Sequence, residues 1–213
     1  MDQTFGKGHG TDIIFLDYCK AFDTVPHRPL LVKLVQLGVT GKLLKWIKNF
    51  LAGWHMRVMV QDTFSKWIKV LSGVPQGSVL GPLLFLIFVN ELPDWIVSSM
   101  KMFADDTKIW TMVDEIEDSK TLQADLDKLV RWSEIWLLKF NVEKCKVMHI
   151  GHCHPTKYFM SIDQVQQPLV EVTEEKDLGI LVTSDLKPSM QCAQAAKKAM
   201  SILGLIRRTF KEY

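Results

Sequence analysis

The sequence predicts an α+β fold built on an antiparallel sheet, and three observations carry that expectation. Short runs of β-branched and aromatic residues recur between turn residues, amphipathic segments of helical length alternate with them, and neither a repeat nor a linker divides the chain. At 213 residues, 47% hydrophobic and 23% charged, the chain can bury a substantial core, which excludes disordered, collagen-like and repeat-rich classes. Lys and Arg number 26 against 24 Asp and Glu, so the net charge of +2 does not announce a nucleic-acid binder, and any electrostatic footprint has to be local.

Residues 11–16 (TDIIFL) read as a buried strand that delivers Asp17 at its carboxyl end. Pro26 and Pro29 then punctuate the chain, and Leu30, Leu31, Leu34, Val35 and Leu37 recur at helical spacing until Gly38. A second helix follows Thr40, with Leu43, Leu44, Ile47, Phe50 and Leu51 on one face and Lys42, Lys45 and Lys48 on another; Gly53 ends it. Residues 55–61 and 64–71 alternate with a period of two around Asp62-Thr63, which predicts a hairpin. The loop SGVPQGS at 72–78 feeds an apolar helix expected over residues 80–97. A second hairpin is expected from residues 99–103 and 107–112, with Ala104-Asp105-Asp106 at its tip.

A long amphipathic helix is expected over residues 118–139, then a strand at 145–150, strands near 158–162 and 168–172, and another at 178–182 after the pair Glu174-Glu175. Residues 191–210 close the chain as a helix. The four cysteines have no regular spacing and the first residues lack a signal-like apolar stretch, which predicts an intracellular, reduced protein. The longest apolar run, residues 79–89, is interrupted by Gly81 and Pro82 and is too short to cross a bilayer, so no membrane partner is expected.

A carboxylate at a strand end and two more at a hairpin tip are a means of converging acidic groups on divalent cations. Two such ions clamp the attacking and leaving oxygens of a phosphoryl transfer. An exposed turn would use Asp-Asp equally well, so the spacing by itself leaves both readings open.

The ordered strings separate them. FLDYCKAFDTVPH at 15–27, SGVPQGSVLGP at 72–82, FADDTK at 103–108, FNVEKCKVMHIG at 140–151 and EKDLGILV at 175–182 resemble, in order, the palm motifs of reverse transcriptases of LINE-type, non-LTR retrotransposons. The resemblance runs from Thr11 to Arg208 and implies a polymerase palm, an antiparallel sheet with helices packed on one face, over residues 1–187, with a short helical thumb segment over 188–213.

That likeness implies template-directed extension of a primer 3′-hydroxyl by dNTPs on an RNA template, with two Mg²⁺ ions for which Mn²⁺ can substitute. It makes Asp17, Asp105 and Asp106 catalytic and metal-binding, adds the backbone carbonyl of Tyr18 as a ligand, and gives Lys144 a role at the departing pyrophosphate. Phe22 would exclude the ribose 2′-hydroxyl by clash, Pro75, Gln76 and Gly77 would contact the incoming dNTP and template base, and Leu178-Gly179 would hold the primer end. Read from the residues alone, Phe22 is equally a core aromatic, 75–77 a turn before a helix, Lys144 a solvated lysine and Leu178-Gly179 a strand bulge.

Cys145, His149, His152, Cys153 and His154 lie within ten residues, but their spacing fits no usual zinc pattern. Trp46, Trp132 and Trp136 fall on apolar helical faces and are expected in the core, whereas Trp54, Trp67 and Trp110 are candidates for base stacking. Between residues 28 and 69 stand Arg28, Lys33, Lys42, Lys45, Lys48, Arg57, Lys66 and Lys69 against the single acid Asp62, a block suited to a phosphate backbone. Polymerases of the resembled family carry fingers ahead of the first motif, a fuller thumb and an endonuclease, so these segments of a full-length element protein are expected partners. The alternative reading is a catalytically inert mobile-element remnant that binds nucleic acid or protein; Phe22 argues against an RNA-templated RNA polymerase.

Overall fold

The polypeptide starts its described course on its central strand. The computed structural model describes residues 10–151, 156–162 and 165–210. Strand β1 (Gly10–Leu16) leads through the short helix α1 (Ala21–Thr24) into α2 (His27–Gln36) and α3 (Gly41–Leu51). The expected hairpin forms as two short ladders, β2 (His55–Met56) with β5 (Ile68–Lys69) at the base and β3 (Met59–Val60) with β4 (Thr63–Phe64) at the tip. Its turn is Gln61-Asp62, one residue earlier than predicted, and both residues have positive φ (44° and 63°), the twist that suits a two-residue hairpin.

Helix α4 (Leu80–Val89) is shorter than the run to 97 that its apolar composition predicts. Continuation would need an N–H from Pro93 to the Val89 carbonyl, and proline has none. The chain tightens instead into a 3-10 turn, Leu92–Trp95. Then come β6 (Ser99–Phe103), β7 (Asp106–Val113) and α5 (Ile116–Trp136), whose start is closed by a reciprocal cap between Glu115 and Asp118. The buried carboxylate of Asp125 on α5 accepts from the Val97 and Ser98 N–H groups and so fixes where β6 begins.

The chain ends through β8 (Lys146–Ile150), β9 (Phe159–Ile162), β10 (Val165–Pro168), β11 (Val170–Glu171), β12 (Glu174–Asp177), β13 (Ile180–Thr183) and α6 (Ser189–Thr209). The strand expected at 178–182 is therefore half of a hairpin, and Leu178-Gly179 is its turn, with φ of 49° and 87°. The main sheet runs β11-β8-β1-β7-β6. It is antiparallel as predicted except at one edge, where β11 pairs parallel to β8.

Ile14 faces Ile109 across one ladder and Val147 across the other, all three almost wholly buried. With Leu16 they join Phe85 and Phe88 of α4 and Leu122, Leu126 and Leu129 of α5 in one core. Trp132 is fully buried as expected, Trp136 is partly buried against the core, and Trp46 is not core: it is 53% exposed and stacks outward on Phe50, because α3 buries only the narrower seam of Ile47 and Leu51.

Lys33 also departs from expectation. It belongs to the core, not to the basic surface block, and its exposure is only 3%. Its ammonium donates to the Phe88 carbonyl and to Glu91 at 2.9 Å, and it lies 3.9 Å from the Trp136 ring centroid; Trp132 Nε1 donates to the same Glu91 oxygen. Burial pushes its pKa down and the Glu91 contact opposes that. Truncation leaves these groups without their cation, so Lys33→Ala should lose about 3 kcal/mol of stability in denaturant titration, and Lys33→Met less.

A second buried polar group sits on β1. Asp12, fully buried, accepts from Tyr158 Oη at 2.6 Å and pairs with His149 Nδ1 at 2.5 Å. The bond to Asp12 raises the His149 pKa against the opposing effect of burial. A raised folded value means that the stabilisation is complete below the ordinary histidine value of about 6.5 and is lost as pH rises through the folded value. The unfolding midpoint should therefore fall as pH is raised from about 6 to about 8, and that slope should flatten in His149→Gln.

Candidate active site

The register of β1 decides where its terminal carboxylate emerges. Leu16 is the last paired residue and lies opposite Thr107, so Asp17 leaves the sheet beside Asp106. On the neighbouring hairpin Phe103 pairs with Asp106, which makes Ala104-Asp105 a two-residue turn, with Ala104 at φ 54°. The tip is thus one residue shorter than the sequence predicts: Asp105 is on the turn and Asp106 opens β7. A cavity of about 380 Å³ opens at this end of the sheet, with Phe15, Asp17, Met102, Asp106, Lys144 and Leu178 in its walls.

Partial desolvation in this cleft raises the Asp106 pKa, and the charges of Asp105, Asp177 and Asp17 raise it further. Lys144 lies with Nζ 3.3 Å from Asp17 Oδ2, a solvent-exposed pair of small energetic value. Behind Asp17, the buried thiol of Cys145 accepts the Asp17 N–H at 3.4 Å and is pushed up to about 12 by burial, so it stays neutral. Cys145 and His149 thus have structural partners; His152, Cys153 and His154 lie outside the described residues.

Tyr18 is buried and its ring stacks on Phe140 at 4.7 Å. Burial raises its pKa; its hydroxyl stands beside that of Thr107 without either completing an ordinary hydrogen bond. The bridge between Tyr18 and Phe140 uses the carbonyls of Asp17 and Lys139 as acceptors, so it does not consume the Tyr18 carbonyl.

The face of β1 opposite the core carries Phe15, flanked in register by Lys108 and Lys146. These lysines tie down the β12–β13 hairpin, Lys108 to Asp177 and Lys146 to Glu175 at 2.6 Å. Leu178 is thereby held at the cavity wall next to Asp17. Sequence reasoning missed this clamp, although its signal was present: Glu175 and Asp177 stand two apart, hence on one face of a strand, opposite lysines on two others.

The SGVPQGS loop is seated on α1. Val74 N donates to Phe22 O at 2.7 Å and Gly73 N to Val25 O at 2.8 Å. Gly73 has φ 92°, and a Cβ there would stand 2.7–2.8 Å from backbone atoms of Asp23, so its close approach is to the protein itself. Ser72 Oγ donates to Asp23 O, and Gln76 Nε2 donates to Asp23 Oδ1 at 2.8 Å. A carboxylate only accepts, so this bond leaves the Gln76 amide oxygen free of Asp23. Asp23 is a second residue that sequence reasoning overlooked.

Phe22 packs at 4.6 Å on Phe85 and is half-buried, which combines the core and surface readings of that ring. Pro75 and Gln76 line a separate cavity of about 730 Å³. The structure therefore brings Asp17, Asp106, Lys144 and Leu178 to one cavity and Pro75 and Gln76 to another; Asp105, Phe22, Gly77 and Gly179 line neither.

Among the described residues no three acidic, histidine or cysteine side chains close on a common point. The donor chemistry nonetheless fits Mg²⁺ or Mn²⁺: hard carboxylate oxygens on adjoining strand ends, with the charges of the others raising the affinity of Asp106 for a positive charge. No helix among the described residues is long and apolar enough to cross a membrane.

The chain matches the family described as reverse transcriptase (RNA-dependent DNA polymerase) over residues 3–206. It is 35% identical over 143 residues to the RNA-directed DNA polymerase from mobile element jockey of Drosophila melanogaster, covering 62% of this chain and 15% of that protein. Two further Drosophila melanogaster relatives are the probable RNA-directed DNA polymerases from transposon BS, 32% identical over 154 residues (67% and 17% of the two chains), and from transposon X-element, 29% identical over 175 residues (79% and 19%). This chain spans less than a fifth of the length of these relatives. Among solved structures, apo telomerase from Candida tropicalis, truncated from its C-terminal domain, shares the fold at a TM-score of 0.56 and 11% identity, over 84% of this chain and 35% of that one. The family match covers nearly the whole chain and its relatives are mobile-element polymerases: this chain belongs to the reverse transcriptase family, of the LINE type.

Proposed function

We propose that this chain is the palm, with the first helix of a thumb, of an RNA-directed DNA polymerase that extends a DNA primer with dNTPs along an RNA template. The observation that carries the reading is the delivery of Asp17 and Asp106 side by side on paired strands, with the Asp106 carboxyl raised by its neighbours. Residues 1–187 are assigned to the palm, and 188–213, with α6, which buries none of its residues, to the thumb.

Asp17, Asp105 and Asp106, with the Tyr18 carbonyl, would hold two divalent cations. Bound there, such ions acidify a primer 3′-hydroxyl and neutralise charge on the triphosphate. The protein's own groups position the reactants. Phe22, which packs on Phe85, would exclude a ribose 2′-hydroxyl by clash, and Gln76, whose amide nitrogen is engaged by Asp23, would contact the incoming dNTP and template base through its oxygen. Lys144, 3.3 Å from Asp17, would assist the departing pyrophosphate, and the Leu178-Gly179 turn, whose Leu178 shares the cavity wall with Asp17, would hold the primer end.

A second reading, an inert remnant that binds nucleic acid or protein, draws on two observations: Lys144 already pairs with Asp17, and the acids do not form a closed ligand set among the described residues. Primer extension on an RNA template with Mg²⁺ or Mn²⁺ separates the two. Extension by the 213-residue chain that disappears in Asp17→Asn and in Asp105→Asn/Asp106→Asn supports the polymerase; no extension by the wild-type chain, with cooperative unfolding intact, supports the remnant.

Asp106 gives a further test that does not depend on turnover. A carboxyl with a raised folded pKa costs stability when ionised, so Asp106→Asn should raise the unfolding midpoint in metal-free buffer at neutral pH while removing extension. Phe22→Ala should lower discrimination between dNTPs and rNTPs by about tenfold to a hundredfold in competitive incorporation, the usual range for a lost steric contact.

A further inference from the structure

The hairpin that carries the Leu178-Gly179 turn is not laddered to the main sheet: among the described residues β12 pairs with β13 alone. Charge fastens it instead. Glu175 and Asp177 stand two apart on β12, so they project from one face, and each meets a lysine of the sheet: Glu175 meets Lys146 of β8 at 2.6 Å, and Asp177 meets Lys108 of β7. Both lysines are register partners of Phe15, so the two bonds straddle β1 just short of Asp17. The four side chains are 20–34% exposed, against 65% for Lys144 in its pair with Asp17, and solvent weakens their bonds correspondingly less.

On its other strand the hairpin is joined to α6, where the Leu181 N–H donates to Gln191 Oε1 at 2.8 Å. Helix and turn are therefore seated together, at β12. The tip itself is open: Leu178 is 53% exposed at the cavity wall, and a Cβ on Gly179 would meet no atom within 4 Å. An apolar side chain beside an open glycine suits the sugar of a terminal nucleotide, with its backbone brought close. The charges of Asp177 and Lys108 both act on Asp106, in opposite directions, so the bond that seats the hairpin also trims the field at the carboxylates.

We propose that Lys108–Asp177 and Lys146–Glu175 are positioning pairs for the primer 3′ end: by seating the turn they set where the terminal nucleotide stands relative to Asp17 and Asp106. That the ligand is a primer rests on the polymerase reading. The four residues act through the turn, not on the reacting atoms. One tether would leave the hairpin free to swing about it, whereas two bonds on opposite sides of β1 fix both the height and the direction of the turn. The pairs therefore work as a unit: breaking either one frees the same motion, and breaking both should cost little more than breaking one.

The test uses the 213-residue chain and a hybrid of an RNA template with a shorter DNA primer whose last base is 4-thiothymidine, a photoreactive probe of what lies beside the primer end. Irradiated in Mg²⁺ without dNTP, the wild-type chain should crosslink within residues 174–183. Asp177→Asn and Glu175→Gln should each lower that yield about tenfold, the scale of one lost hydrogen bond between charged groups, and should speed amide exchange of the same residues by a similar factor while β1 exchanges as before. Lys108→Arg, which keeps the bond, should keep the wild-type yield. A tie of purely structural importance would change the exchange and leave the crosslink in place. Unfolding curves check that each variant is folded. No wild-type crosslink, a crosslink outside 174–183, a yield indifferent to both substitutions, or unchanged exchange overturns the assignment. Crosslinking at the hairpin without primer extension would sink the polymerase reading alone, and extension with the crosslink elsewhere would sink this one alone.

Discussion

The pairing of β1 with both of its neighbours is the constraint on which the rest depends. Ile14 lies between Ile109 and Val147, and this aliphatic layer is closed by helices on one side only. A strand has a side-chain period of two, so a slip of one residue would turn Ile14 and Leu16 out of the core and bring Phe15 in. The same slip would carry Asp17 away from Asp106. Burial of two aliphatic side chains thus enforces a spacing between two charged ones that nothing in their own interaction favours.

The half-open face of the sheet obeys the same register. Phe15 is flanked by Lys108 and Lys146 because its neighbours on both ladders fall on that side of the pleat, and those lysines tie down the β12–β13 hairpin. On the far side of Asp17 the chain turns into α1, whose backbone seats the SGVPQGS loop through Phe22 O, Asp23 O and Val25 O. Cleft and loop are both referred to the end of β1, the hairpin through lysines on its open face and the loop through the helix that follows it.

The parts of this arrangement that were legible in the sequence are those with a local signature. The β-branched run before Asp17, the hairpin turn after Phe103, though one residue shorter than expected, and the amphipathic spacing of α5 each follow from nearest-neighbour preferences, and the ordered motifs supplied the family. What was illegible depends on partners distant in the chain. Lys33 shares the buried face of its helix with Leu30 and Leu34, but its charge reads as a surface residue; only the approach of Glu91, Trp132 and Trp136 from two other segments makes its burial tolerable. Trp46 has the composition of a core residue, but α3 meets too little of the body to cover its ring. Likewise Asp23 reads as one acid in a turn until the loop fifty residues later closes on it.

The crowding of carboxylates has to be offset by something, and the cations present are placed to do it only in part. Lys108 stands among the charges around Asp106 and lowers its pKa, but it is engaged by Asp177; Lys144 pairs with Asp17, but from an exposed position where solvent weakens the attraction. The net direction at Asp106 is still upward. A sheet end that needed only to be stable could have placed an asparagine there, as the hydrogen-bonding capacity at an exposed strand start would be kept and the repulsion removed. Retaining Asp17, Asp105 and Asp106 at one end of the sheet leaves a negative field that Lys108 and Lys144 offset only in part. Such a field is relieved by a divalent cation more effectively than by a lysine, because two charges are delivered on a single atom that several oxygens can share.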